Sequence, residues 1–91
     1  MAFIVTRINV GDYDAWKPMF DKDDPGARRS AKAHRVLRGV ENPNEVFVVV
    51  EFASREDAEA ARDKILASGV LDRFPDKDLP KVVEEAEAMS Y

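Results

Sequence analysis

Tyr13, Trp16 and Phe20 stand three and four residues apart in the stretch VGDYDAWKPMF, residues 10–20, of a chain with a single tryptophan. That spacing puts the three rings on one face of a helix. Such a face serves either as core packing or as the wall of a pocket for a flat molecule, because small-molecule pockets are mostly apolar with a few polar groups. Tyr13 and Trp16 suit a pocket better than Phe20, since a phenol O–H and an indole N–H need partners once buried. Arg7 and Asn9 share a face of the preceding segment with Phe3 and Val5. If that face looks toward the helices, the two polar groups can hold a substrate carbonyl or phenolate; if it looks outward, they hydrogen-bond across a subunit interface.

His34 is the only histidine. A hairpin closed on a two- or four-residue loop sets His34 near Glu51 and Arg38 near Phe47, whereas a three-residue loop sets His34 beside Phe52. In the first register Glu51 orients the imidazole, an acid–base pair suited to enolisation or proton transfer. In the second, His34 is a strand-end residue without a role. The basic run RRSAKAHRVLR, residues 28–38, reads either as a solvated face around a loop or as a site for a carboxylate or phenolate, which Arg meets with paired donors in a fixed fork.

The chemistry that is missing narrows the field. There is no cysteine, which removes disulfides, thiolate nucleophiles and cysteine-ligated metals. No spacing of carboxylates around His34 predicts a metal site. The glycines at 11, 26, 39 and 69 are scattered rather than gathered into a phosphate loop, and the serines at 30, 54, 68 and 90 form no nucleophile elbow. A haem would find only His34 as an axial ligand, and no cofactor is expected. The formal net charge of −4 speaks against a nucleic-acid surface. The opening MAFIVTRINV is short and lacks a basic leader and a cleavage site, and nothing approaches the roughly 18 apolar residues that span a bilayer. No membrane contact and a cytoplasmic location are expected.

These residues must be positioned by a single domain, residues 1–91, because the chain is too short for two cores. With 45% hydrophobic and 35% charged residues, it has the composition of an ordered globular protein. Residues 2–10, rich in β-branched and aromatic side chains, predict a strand whose face Ile4, Thr6, Ile8 and Val10 is the more apolar. "GD" supplies a turn and an N-cap for the aromatic helix, with Pro18 early enough to be tolerated. DKDDPG interrupts that helix and ARRSAKA resumes it briefly. Residues 33–41 and 45–52 flank the turn NPN as a hairpin, and the run VFVVVEF, apolar on both faces, needs cover on both sides. Ser54 and Gly69 bound a helix with the stripe Ala58, Ala61, Ile65 and Leu66. Val70, Leu71, Phe74 and Leu79 lie in an irregular connection covering one edge of the core. The ending KVVEEAEAMSY has a local helical pattern. If it is instead a strand, the order is βαββαβ, the ferredoxin-like α+β fold with an antiparallel sheet.

VGDYDAWKPMFD after an N-terminal strand, followed by HRVLRGVENPNEVFVVVEFAS, resembles the dimeric α+β barrel superfamily, and within it small stand-alone proteins related to antibiotic biosynthesis monooxygenases and polyketide cyclases. The resemblance implies that two ferredoxin-like subunits pack sheet against sheet as a homodimer, and it favours a strand over 81–91. It also implies a pocket in each subunit between helices and sheet, in which cofactor-free members bind flat polycyclic or quinol-like molecules. No catalytic motif of the family carries over residue by residue, and a shared fold does not license a reaction.

The reading that follows is a small homodimer that binds or transforms an aromatic or polyketide-like compound without a cofactor. His34 and Arg7 are the catalytic candidates; Tyr13, Trp16, Asn9 and Glu51 are the candidate substrate contacts. The alternative is a non-catalytic dimeric interaction or stress-associated module, or a regulatory ligand-binding unit, with the aromatics serving only as core.

Overall fold

Alternation along AFIVTRIN produces β1 (Ala2–Asn9), in which Ala2, Ile4 and Ile8 are buried while Val5 is exposed. The computed structural model describes residues 1–91, and its remaining elements are α1 (Tyr13–Lys22), β2 (Ala33–Arg38), β3 (Glu45–Phe52), α2 (Arg55–Ser68) and β4 (Lys77–Glu84). The four strands form one antiparallel sheet in the order β2-β3-β1-β4. This is the ferredoxin-like α+β arrangement. No helix is long and apolar enough to cross a membrane.

Each helix begins where its cap demands. Asp12 accepts from the Asp14 and Ala15 N–H groups at the start of α1, and Ser54 accepts from the Asp57 N–H at the start of α2. Asp23 and Gly69, both left-handed, close the two C-termini. Pro18 lies in the second turn of α1, on the exposed side, and the helix runs through it. The brief helix expected over 27–33 is absent. Instead Asp23 and Gly26 adopt positive φ, and the Asp23 carboxylate accepts from the Ala27 and Arg28 N–H groups, which folds the chain back beneath the end of α1.

The hairpin takes neither of the expected registers. β2 stops at Arg38, and residues 39–44 form a six-residue loop, so that His34 pairs with Val50, Leu37 with Phe47 and Ala33 with Glu51. The loop closes earlier than NPN alone suggests because the Asn42 carbonyl approaches Gly39 so closely that a Cβ there would meet it at 2.7 Å. The Gly39 N–H donates to the Glu45 carbonyl, and Arg38 Nε donates to the Pro43 carbonyl at 2.9 Å.

The last strand is present but begins earlier than expected. β4 occupies 77–84, and residues 85–91 are irregular. Pairing of Ile4 with Val82 and Ala2 with Glu84 overrides the helical pattern, because β1 would otherwise carry a row of unpaired backbone groups. Pro80 is accommodated because β4 is an edge strand. Leu79, expected in the core, is exposed on the outer face of β4, and Leu66 is exposed on α2; Leu71 is buried, and Val70 and Phe74 are half-buried.

The core lies between the helices and one face of the sheet. Ile4, Ile8, Val46, Val48, Val50 and Phe52 supply the sheet side. α2 approaches through Ala58 and Ala61, whereas no Cα of α1 comes within 8 Å of a Cα in any other element.

Candidate functional site

The gap beneath α1 is a cavity of about 150 Å³. Ile4, Ile8, Val48 and Val50 form its floor, Trp16 and Phe20 its helical wall, and Ile65, Leu71 and Phe74 close the side toward α2. Sheet alternation aims the floor residues at the helices, and the i, i+4 spacing of Trp16 and Phe20 aims their rings back. The two ring centroids are 4.9 Å apart.

Five polar side chains line the same cavity: Thr6, Asp23, Asp24, Arg28 and Arg73. The Thr6 hydroxyl donates to the Asp78 carbonyl at 2.6 Å, so its proton is already committed. Arg28 is the most enclosed cation, with a side chain 15% exposed. Its guanidinium carbon sits 3.6 Å from the Phe20 ring centroid, Nη2 donates to the Phe20 carbonyl, and Nε lies 3.9 Å from Asp23 Oδ1. Burial lowers the Arg28 pKa from its ordinary value, and the nearby carboxylates of Asp23 and Asp21 offset this only in part. Arg73 is exposed and touches Met19 Sδ through Nη1 at 3.4 Å.

The structure brings only one of the six expected site residues, Trp16, to this cavity. Tyr13 lies one turn away, its ring 5.9 Å from that of Trp16 and covered on its other side by Arg38, whose guanidinium carbon is 3.9 Å from the ring centroid. Phe20, expected as plain core, takes the lining position instead. His34 faces the helices from the exposed edge strand and meets the Phe20 ring edge-on at 5.4 Å. Glu51 lies on the other face of the sheet, so the His34–Glu51 pair does not form.

Arg7 and Asn9 also point away from the helices. Arg7 binds Glu45 at 3.0 Å, Asp76 at 2.9 Å and Asp78 at 3.1 Å. These bonds, that to Asp76 foremost, hold the Arg7 pKa well above its ordinary value, and Arg7 in turn lowers that of Asp76. Asn9 uses Oδ1 to accept from the Gly11 N–H. Arg7 thus anchors an ionic network on the outer face, while Ile4, Thr6 and Ile8 on the helix-facing side of the same strand line the cavity.

Arg28, Arg73, Met19 and Phe74 were not singled out as site residues by sequence. Arg28 belongs to the basic run in which a carboxylate or phenolate site is one reading, but its selection over the exposed Arg29 follows from the loop fixed by Asp23 and Gly26.

No protein-family profile matches the chain, and no curated protein matches it in sequence. Solved structures do match it in backbone. One, a "putative antibiotic biosynthesis monooxygenase" from Deinococcus radiodurans, superposes at a TM-score of 0.72 with 10% identity over 100% of this chain and 98% of that one. The chain shares its fold. Another, of the same description and from Nitrosomonas europaea, gives a TM-score of 0.66 with 15% identity over 96% of this chain and 100% of that one. At these identities the likeness is one of architecture.

Proposed function

We propose that this protein is a homodimeric small-molecule binding protein of the monooxygenase-like type, in which each protomer holds one aromatic molecule against Trp16 and Phe20. The observation that carries this reading is the apolar cavity beneath α1, walled by two rings and floored by the sheet. Oxygenation of the bound compound by dioxygen without a cofactor, one oxygen entering the ring and the other leaving as water on two electrons and two protons from the substrate, is the chemistry proposed for it, in keeping with the description of both structural neighbours as monooxygenases.

The homodimer is supported by the other face of the sheet, where Val5, Leu37, Phe47, Leu79 and Val83 are all exposed with nothing over them. Leu37 and Phe47 are cross-strand neighbours on this face, and exposed apolar side chains grouped in this way are characteristic of a contact surface. A second copy would cover it sheet against sheet and bury the Arg7 network between the subunits. A non-catalytic ligand-binding unit is the second reading. It is favoured by the placement of the only histidine outside the cavity lining and by the commitment of the Thr6 proton.

Trp16 is the only tryptophan, so its fluorescence reports directly on the cavity. Titration with simple quinols and naphthols should change its intensity saturably. A flat response across the panel would refute the binding reading. Sedimentation equilibrium should give the mass of a dimer, and a stable monomer at micromolar concentration would refute the barrel.

A further inference from the structure

Arg28 is a cation enclosed beside an apolar cavity with incomplete compensation from the protein itself. One nitrogen is used by the Phe20 carbonyl and one stands 3.9 Å from Asp23, a distance beyond a good hydrogen bond. Both oxygens of that carboxylate already accept backbone N–H groups from the loop, so Asp23 is held in place by the fold rather than by Arg28. Nη1 meets no acceptor. That nitrogen is open rather than sealed, since no buried side-chain nitrogen or oxygen lacks a partner, and its free donor can make a charge-assisted hydrogen bond to an anion. Arg73, on the same lining, makes no ion pair and adds a second positive group at the exposed side.

The remaining lining narrows the body of such a ligand. A cavity of about 150 Å³ with a mostly apolar lining is large enough for one benzene-sized ring. Asp24, exposed and also on the lining, is the one group that opposes an anion there without being tied into the loop.

We propose that the cavity selects a single-ring aromatic acid, its ring between Trp16 and the sheet and its carboxylate on the free edge of the Arg28 guanidinium. This rests on the binding reading above but is narrower, assigning the ligand a charge and a size. The Phe20 ring, its centroid 3.6 Å from the guanidinium carbon, holds the Arg28 head beside the cavity, and Arg73 can close on the carboxylate from the rim.

The test compares benzoate, benzamide and 2-naphthoate on the unmodified protein by Trp16 fluorescence. Benzamide matches benzoate in size and lacks the charge, so it should bind about tenfold more weakly or worse, the range of a charge-assisted hydrogen bond. 2-Naphthoate should also bind more weakly than benzoate despite its larger apolar surface. In Arg28→Met, which keeps the stem over Phe20, the benzoate and benzamide affinities should converge. In Asp24→Asn, benzoate should bind more tightly and benzamide unchanged. Equal affinities for benzoate and benzamide in the unmodified protein would overturn the acid while leaving aromatic binding intact. Tighter binding of 2-naphthoate would overturn the single ring. If none of the three binds but a neutral quinol does, the inference fails and the broader reading stands. If Arg28→Met does not fold, the comparison of the two probes on the unmodified protein still decides.

Discussion

α2 meets the sheet through Ala58 and Ala61, 0% and 3% exposed, and its backbone packs directly on β1, β3 and β4. α1 covers the same face through Trp16 and Phe20, and none of its Cα atoms comes within 8 Å of one in another element. Small side chains let a helix settle onto a sheet, whereas large rings prop it away and leave space between the props. The cavity is that space. α1 is instead fastened at its ends. Asn44 Oδ1 accepts from the Tyr13 N–H at 3.1 Å, and Arg28 grips the Phe20 carbonyl and ring at the other end. One helix therefore belongs to the packed core, and the other is a strut pinned at two points over the cavity.

The sharpest way to break this comparison is to remove the prop. Trp16→Ala should lower stability by about 3–5 kcal/mol in urea denaturation, the range for deleting a large buried aromatic. A loss below about 1 kcal/mol would show that α1 does not rest on its rings. The opposite change tests α2. Ala61→Leu inserts bulk where there is none to spare and should lower stability by about 1–3 kcal/mol. A shift within about 0.5 kcal/mol, the scale of a surface substitution, would mean that α2 is no more closely seated than α1. The smallest effect tests the pins. Asn44→Ala removes the hydrogen bond at the start of α1 and should lower stability by about 0.5–1.5 kcal/mol. Amide hydrogen exchange should then quicken in the first turn of α1 and not in α2; equal acceleration in both helices would show that Asn44 serves the whole domain rather than the strut.

The positions legible in the sequence are those whose physics is local. The cap at Asp12, the Ser54–Gly69 helix and the apolar face Ile4, Ile8, Val10 depend on neighbours a few residues away, and the structure has them as the spacing predicts. The aromatic stripe was legible as a stripe, but its division was not. Tyr13 turns to Arg38 while Phe20 takes the cavity wall, because the loop after α1 carries Arg28 under the Phe20 end. The expected role of Arg7 beside the aromatics depended on which face of β1 the helices cover. The helices cover the more apolar face, and Arg7 is left with three carboxylates on the other.

The sequence by itself determined the elements up to α2, apart from a short helix over 27–33 that does not form, together with the helix caps, the two unequal faces of β1 and a third strand apolar on both sides. All of these are set by short-range periodicity, capping and turn chemistry. Only the tertiary structure decided that residues 77–84 are a strand, that His34 lies opposite Val50, and that Arg28 rather than Arg7 or His34 reaches the cavity. Those outcomes rest on hydrogen-bond pairing and side-chain packing between segments far apart in the chain. Local propensity is too weak to dictate either.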